Sequence, residues 1–326
     1  MNKIILLCLF LLILTYLLFV QKYNRYDSFT NELQKNNKSI QITFLNKKEG
    51  YHILNNSNYF QYFNHYDHTL KNYNTKHEYC FHFTQKEKQS ISLLLKMIVP
   101  QYKACISLFP FQKWKFIKVN GIESNLIHTR DDCIILPQWF IHKIVNAVTT
   151  TNKITIQECT STLLHEQIHI YQRKYKTIFD HLYKSYWKLI NPSTILSLDN
   201  LRNRTNPDGL DIKWLFQNSI LPIAIYKNNA TSLTDVDIVF LNIKKNNKKK
   251  YFFTGYSSQE EENQYTHFFG DKNHYHPNEL AALYFEYYFK ECTQKDDKNK
   301  NKNNKYPQAY YLFNKWIKNY KTNYIV

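Results

Sequence analysis

The strongest chemical signal in the sequence is a short stretch that holds two histidines around a glutamate, His165-Glu166-Gln167-Ile168-His169. On a helix, residues four apart project from the same face one turn apart, so both imidazoles can reach one ion. Zinc binds imidazole nitrogen at ~2.0–2.1 Å, which suits this spacing. Glu166 stands beside the ligands, where it can take a proton from zinc-bound water. The motif therefore predicts His165 and His169 as ligands of one Zn²⁺ and Glu166 as the catalytic base.

A hydrolytic zinc site also needs a third protein ligand and an open position for water. The extended motif H-E-x-x-H-x-x-G-x-x-H is absent, because Gln172 and Tyr175 occupy its last two named positions. Pro277 can begin a helix, which would place Glu279 in the first turn, and we expect Glu279 to be the third ligand. It lies 110 residues after His169. The sequence leaves three other candidates open: Glu286, His274 and His276.

Helices must position these residues, and the hydrophobic pattern predicts where they lie. The capping box formed by Thr84 and Glu87 begins a helix whose apolar run ends before Pro100. Further helices are expected over residues 155–176, 278–292 and 309–320, and strands over 40–44, 114–119, 126–128 and 133–136. Residues 237–255 have the pattern of a hairpin. This order of elements indicates an α+β domain.

The N-terminal segment has a different character. Residues 4–20 are an unbroken apolar run, long enough to span a ~30 Å hydrocarbon core. No small residues follow this run where a signal peptidase would cleave, so we expect an uncleaved signal anchor and a single-pass membrane protein. Basic residues flank the run on both sides, which leaves the orientation open. Our expectation is that the soluble domain lies on the lumenal or extracellular side, a choice that the flanking charges do not decide.

Composition and cysteine usage exclude some classes of function. The net charge of +17 accompanies an abundance of Lys, Asn, Ile, Tyr and Phe, all encoded by A/T-rich codons. Base composition therefore accounts for much of the charge, and we expect no nucleic-acid partner. The six cysteines include no CxxC pair, which argues against a thiolate zinc site.

An H-E-x-x-H helix followed by a helix that supplies a glutamate resembles the gluzincin branch of zinc metallopeptidases. Three further pieces stand in an order similar to zinc-metallopeptidase-like proteins of large DNA viruses. These pieces are residues 127–137, Asn206-Pro207-Asp208 and His276-Pro277-Asn278-Glu279. The resemblance covers residues 84–290. It implies a zincin-like domain with a mixed sheet and the H-E-x-x-H helix, with His165 and His169 as ligands, Glu166 as base and Glu279 as third ligand.

Together with the apolar run at residues 4–20, the resemblance implies a membrane-anchored zinc-dependent endopeptidase that acts on a polypeptide through a zinc-bound water activated by Glu166. The alternative is a catalytically inactive zincin-fold membrane protein with a structural or attachment role. We name Tyr275 as a candidate oxyanion donor, with His276 and Tyr265 as alternatives. Ile134, in the stretch from residue 128 to 136, is the candidate residue of a sheet edge along which an extended peptide would lie.

The expected organisation has five parts. They are a transmembrane anchor (1–25), a juxtamembrane stalk and variable region (26–80), a zincin-like catalytic domain (81–292), a low-complexity linker (293–305) and a C-terminal helix (306–326).

Overall fold

The computed structural model describes residues 40–57, 79–120, 126–192, 194–196, 198, 201, 203–204, 208, 212–230, 234–247, 250–270, 275–293 and 306–324. Over these ranges, helices pack with two mixed sheets, which confirms the predicted α+β class. No helix in this part of the chain is long and apolar enough to cross a membrane. The predicted anchor lies outside the described ranges, as does the predicted linker beyond Thr293.

The first sheet is built around a buried pair of parallel strands. Its strands are β1 (Gln41–Phe44), β2 (Cys80–Phe81), β3 (Lys113–Val119), β4 (His128–Arg130) and β5 (Cys133–Pro137). The order is β1-β3-β5-β4, with β2 paired to β3 beside β1. Strands β1 and β5 run parallel to β3, whereas β2 and β4 are antiparallel to their partners.

The prediction of a peptide-binding edge at Ile134 is wrong. Ile134 pairs with Phe116 of β3 on one side and with Thr129 of β4 on the other. Strand β5 is therefore interior to the sheet, and all five of its residues are buried. An apolar run without alternation is typical of a strand covered on both faces, and such a strand has no free main-chain groups for a peptide. The strand at this end of the sheet is β4.

The boundary predicted at residue 81 does not follow the packing. Strand β1 pairs with β3, and helix α1 (Lys47–Asn56) follows it directly. Asn46 caps α1 and forms a capping box with Glu49, a local signal that the sequence analysis missed. Leu54 of α1 is fully buried in a small cluster with residues of the sheet. Residues 40–57 are thus part of the domain and do not belong to a separate stalk.

The second sheet lies later in the chain and is mostly antiparallel. Its strands are β6 (Ile195–Leu196), β7 (Asn203–Arg204), β8 (Ile220–Tyr226), β9 (Val236–Lys245) and β10 (Tyr251–Tyr256), in the order β6-β10-β9-β8-β7. Strands β9 and β10 form the predicted hairpin, with a bulge between Phe253 and Gly255. Gly255 has a φ of 149°, a conformation that favours glycine at this bulge.

The described ranges contain seven further helices. They are α2 (Gln85–Cys105), α3 (Gln138–Thr150), α4 (Lys153–Lys174), α5 (Lys176–His181), α6 (Gln259–Phe269), α7 (Pro277–Thr293) and α8 (Gln308–Tyr324). A π-helical turn, Leu182–Tyr186, follows α5. Helix α4 packs against α7, and α2 packs against both α3 and α7.

The apolar run of helix α2 ends before Pro100, but the helix itself continues past this residue. It continues to Cys105, with the Pro100 ring on its exposed face. A proline inside a helix loses one backbone hydrogen bond at a cost of about 3 kcal/mol. Contacts on the next turn offset that loss, because Tyr102 is fully buried and its hydroxyl donates to the carbonyl of Thr160 on α4. A disulfide then joins Cys105 to Cys292 at the end of α7.

Candidate metal centre

Helix α4 holds the H-E-x-x-H residues with its apolar side against the core. Asn152 caps its start by accepting a hydrogen bond from the Thr155 amide. Leu163, Leu164 and Ile168 are fully buried, which fixes the rotation of the helix about its axis. His165 and His169 consequently point from one face towards α7, and their ring centroids lie 4.7 Å apart.

Helix α7 brings Glu279 to these histidines. Pro277 begins the helix, so Glu279 lies in the first turn, as the sequence predicts. Ala281 and Ala282 are fully buried, and their small side chains let α7 approach α4 closely.

His276 lies just before α7 and accepts a hydrogen bond from the first turn of that helix. Its Nδ1 accepts a hydrogen bond of 3.2 Å from the Asn278 amide, so its Nε2 carries the proton and donates to the Ile212 carbonyl at 3.0 Å. Both ring nitrogens are thereby engaged away from the histidine pair, which removes His276 as a candidate ligand. His274 lies outside the described residues.

The three predicted ligands meet at one point. Oε2 of Glu279 lies 3.3 Å from Nε2 of His165 and 3.4 Å from Nε2 of His169. One ligand atom from each residue lies within 4.8 Å of the other two. Bonds of ~2.0–2.1 Å at tetrahedral angles separate neighbouring ligand atoms by roughly 3.3–3.4 Å. The separations of Glu279 from the two histidines therefore fit two edges of a tetrahedral zinc site.

A second set of contacts orients both imidazoles. Nδ1 of His165 lies 2.8 Å from Oε1 of Glu286, and Nδ1 of His169 lies 2.8 Å from Oε1 of Gln172. Each Nδ1 can donate its proton to that oxygen, which leaves the Nε2 lone pair directed at Glu279. Glu286, the alternative ligand in the sequence analysis, thus contacts the far side of His165.

One atom of the cluster makes the strongest case for a bound cation. Nε2 of His169 is buried and has no hydrogen-bond partner among the described residues. A buried nitrogen without a hydrogen bond costs free energy, and a metal ion between this nitrogen and the carboxylate would remove that cost. Two imidazole nitrogens and one carboxylate form the donor set of many zinc enzymes, so the residues present fit this ion.

Glu166 lies beside His165, His169 and Glu279, here called the triad, and is not one of the three predicted ligands. The side chain is 5% exposed, and its Oε2 has no hydrogen-bond partner in the described part of the chain. Burial and the nearby carboxylate of Asp208 raise the pKa of Glu166 to about 8. A carboxylate with so high a pKa holds and releases a proton near neutral pH, which is the property of a general acid–base group.

The charges of the triad favour a cation. Burial alone would lower the pKa of His169, but the carboxylates of Asp208 and Glu279 outweigh burial and raise it to about 9. The pKa of His165 is likewise raised well above its ordinary value, because hydrogen bonds to Glu279 and Glu286 outweigh the effect of burial. Burial acts to raise the pKa of Glu279, but the two histidines hold it well below its usual range. The carboxylates thus stabilise positive charge at both rings.

Asp208 is a residue of the site whose role no sequence motif predicts. Its Oδ1 accepts hydrogen bonds from the backbone amide and the hydroxyl of Thr129, at 2.9 and 2.7 Å. Its Oδ2 faces Nε2 of His169 at 3.7 Å, and it forms a second carboxylate–imidazole group with Glu166 and His169. The only sequence signal was the Asn-Pro-Asp-Gly turn pattern at 206–209.

Asp208 and Arg173 also occupy the outer side of β4. The Thr129 amide that donates to Asp208 belongs to the strand at the end of the sheet, so this donor is already used. Arg173 of α4 donates to the carbonyls of Asp131 and Asp208. These bonds join the turn after β4 to the helix that bears the histidines.

The candidate oxyanion donors lie close to the start of α7. The hydroxyl of Tyr265 donates to the Tyr275 carbonyl at 2.7 Å, and both residues are buried, so Tyr265 is engaged elsewhere. His276 is engaged as described above. Tyr275 lines a small cavity with Trp214 and Pro277, and the three triad residues do not line this cavity. The role of Tyr275 stays a prediction.

Comparisons of the chain with protein-family models, with curated proteins and with solved structures found no match.

Proposed function

We propose that this chain is a zinc-dependent peptidase whose metal ligands are His165, His169 and Glu279. The observation that carries the proposal is the buried Nε2 of His169, which makes no hydrogen bond among the described residues and lies 3.4 Å from the Glu279 carboxylate, with Gln172 against the other ring nitrogen. Burial of this nitrogen without a hydrogen bond is unfavourable, whereas metal coordination would use its lone pair.

The residues of the site have separate roles in this hydrolysis. Zinc, when bound, lowers the pKa of a coordinated water and polarises the carbonyl group of the substrate. Glu166 accepts a proton from the attacking water and can deliver it to the leaving amine. Burial and Asp208 act to raise the pKa of Glu166, which favours retention of the accepted proton until it is delivered. Asp208 keeps negative charge beside Glu166 and thereby disfavours early loss of the proton that Glu166 has accepted.

The paired assay of Glu166→Gln tests this role. Glutamine keeps the size of the side chain and removes the base, so we expect unchanged zinc content and hydrolysis of a peptide library reduced about 10²–10⁴-fold. Glu158→Gln is the matched control, because Glu158 lies on the same helix but is 55% exposed and paired with Lys143. Equal turnover in wild type and Glu166→Gln would contradict the peptidase mechanism and leave the non-catalytic alternative. Loss of zinc would make Glu166 a structural residue.

We also propose that residues 4–20 anchor the protein in a membrane, with the described domain on the lumenal or extracellular side. The apolar run supports the anchor, and the Cys105–Cys292 disulfide favours an oxidising compartment. The protein should remain in the membrane fraction after carbonate or high-salt extraction. Release of a soluble species that begins between Gln21 and Ser28 would instead indicate a cleaved signal peptide.

A further inference from the structure

Buried polar groups connect α4 directly with the start of α7. Gln172 stands on α4 three residues after His169, and its Oε1 lies 2.8 Å from Nδ1 of that histidine. Its Nε2 donates to the carbonyl oxygen of Asn278 at 2.7 Å. This carbonyl belongs to the peptide bond between Asn278 and Glu279. A single side-chain amide therefore contacts one metal ligand and the backbone that carries another.

The amide has one consistent orientation. The Asn278 carbonyl can only accept a hydrogen bond, so the amide nitrogen of Gln172 must face it and the oxygen must face His169. In the neutral ring of His169, which is the form that binds a metal, Nδ1 therefore carries the proton and Nε2 keeps its lone pair towards Glu279. Gln172 thus selects the tautomer that a metal ligand needs.

Tyr183 supports this arrangement from the π-helical turn. Its hydroxyl donates to Oδ1 of Asn278 at 2.8 Å and lies 3.4 Å from Nε2 of Gln172. The three side chains are between 1% and 3% exposed, so bulk water cannot replace a lost partner. The contact of Tyr183 with Asn278 leaves His169 untouched, which makes Tyr183 a useful control position.

We propose that Gln172 is the positioning residue that brings His169 and Glu279 into one metal site. The inference rests on the proposed zinc centre and adds a residue to which no role had been assigned. Glu279 lies 110 residues after His169, so no local geometry relates the two ligands. The amide of Gln172 links the two ligands. Its oxygen orients the ring of His169, and its nitrogen holds the Asn278 carbonyl, which precedes Glu279 in the main chain.

A purely structural role for Gln172 predicts a different outcome. A buried hydrogen bond that only stabilises the fold would, when removed, lower the unfolding temperature of the metal-free protein and leave zinc affinity unchanged. A positioning role predicts weaker metal binding in a protein that is still folded. Zinc affinity and the absorption spectrum of the Co²⁺-substituted protein therefore distinguish the two roles, and neither measurement needs enzymatic turnover.

The test compares three variants of the full chain with wild type by chelator competition for zinc. Gln172→Leu removes both hydrogen bonds at similar volume, and we expect zinc affinity to fall about 10–100-fold. Gln172→Glu keeps an acceptor for His169 but removes the donor to Asn278, so a smaller loss is expected. Tyr183→Phe removes the bond to the Asn278 side chain and the 3.4 Å contact with Nε2 of Gln172, but it keeps both bonds of Gln172 to His169 and the Asn278 carbonyl, so it should bind zinc like wild type. The Co²⁺ spectrum should change in Gln172→Leu and stay unchanged in Tyr183→Phe.

Wild-type zinc affinity in a folded Gln172→Leu variant would overturn the inference, as would an equal loss in Tyr183→Phe. If Gln172→Leu does not fold, Gln172→Glu carries the test, and unchanged affinity there contradicts a role for the amide donor. A wild type that binds no zinc refutes the proposed function and this inference together. A wild type that binds zinc, with unchanged Gln172 variants, refutes only the inference.

Discussion

His165 shows how a single side chain is prepared for a metal. Its Nδ1 faces Glu286 at 2.8 Å and its Nε2 faces Glu279 at 3.3 Å, so carboxylates lie against both nitrogens. A metal ion that replaces the proton between Nε2 and Glu279 would use the Nε2 lone pair while Nδ1 still donates to Glu286. The two glutamates therefore have different roles, one as a ligand and the other as the group that orients the ligand.

This difference gives a direct prediction. Glu279→Ala removes one of three protein ligands, so zinc content should fall well below one equivalent. Glu286→Ala leaves the triad intact and should retain zinc after purification, with affinity reduced about 10–100-fold by loss of the orienting contact. Metal analysis and chelator competition on both variants check this. Retained zinc in Glu279→Ala together with loss in Glu286→Ala would reverse the assignment.

Zinc affinity should depend strongly on pH. Carboxylates raise the pKa of His169 to about 9 and that of His165 well above its ordinary value. In the metal-free protein near neutral pH, each ring therefore carries a proton on both nitrogens. Zinc must displace these protons, and affinity therefore rises with pH until about pH 9. We expect an increase of about 10–100-fold per pH unit between pH 6 and 8, for one or two protons released. Chelator competition, corrected for protonation of the chelator, measures zinc affinity at each pH. An affinity that does not change with pH would contradict the raised pKa values of the two histidines.

At the scale of elements, α2 holds the first sheet through a buried ion pair. Lys118 of β3 donates to both carboxylate oxygens of Glu87, and each side chain is 7% exposed. Glu87 also forms the capping box with Thr84 and accepts a hydrogen bond from Gln138 at the start of α3. One carboxylate thus joins the starts of two helices to the sheet.

Replacement of Glu87 by glutamine should cost about 3–5 kcal/mol of unfolding free energy at pH 7, because Lys118 is left buried without its partner. Glutamine is compatible with a capping box, so the change isolates the ion pair. Chemical denaturation measures the loss, and the double variant with Lys118→Met should recover part of it. No loss in Glu87→Gln would show that the pair contributes little.

The same pair has a defined pH dependence. Burial acts to raise the pKa of Glu87, but Lys118 and the helix-cap amide outweigh it and lower the pKa below 4.5. The stabilisation by the Glu87–Lys118 pair is therefore fully present above pH 4.5. It is lost as the pH falls through the lowered pKa of Glu87. Wild type and Glu87→Gln should accordingly converge in stability in acid. A difference in unfolding free energy between wild type and Glu87→Gln that stays constant with pH would contradict the assignment of this stabilisation to the ion pair.

At the scale of the whole molecule, the disulfide between Cys105 and Cys292 closes a loop of 187 residues. It joins the ends of α2 and α7, and Tyr102 packs on Phe289 one turn before these ends, with ring centroids 4.9 Å apart. The other described cysteines, Cys80, Cys133 and Cys159, are buried free thiols. The cross-link therefore constrains the helix that carries Glu279 from its far end.

Replacement of both Cys105 and Cys292 by serine should lower the unfolding free energy by about 2–5 kcal/mol, since the unfolded chain regains the freedom that the cross-link removes. Denaturant unfolding with and without reductant is the measurement. Reductant should destabilise wild type by a similar amount and leave the double variant unchanged. Equal stability of oxidised and reduced wild type would contradict formation of this bond.

Local geometry explains what could be predicted from the sequence. The four-residue spacing of His165 and His169 and the position of Glu279 two residues after Pro277 are relations within one helix, and helical periodicity determines them. The capping boxes and the β9–β10 hairpin are local in the same sense. For such features, neighbouring residues carry the signal, so the sequence alone predicted the two helices of the site and the three residues that meet between them, although the capping box at Asn46 was missed.

Only tertiary packing decided between residues that the sequence left equivalent. Glu279 and Glu286 are seven residues apart on one face of α7, and the position of α7 along α4 determines which of them reaches Nε2 of the histidines. The pairing of Cys105 with Cys292, the interior position of β5 and the approach of Asp208 to His169 likewise join segments far apart in the chain. Contacts between distant segments depend on how whole helices and strands pack, and no local pattern in the sequence encodes that arrangement.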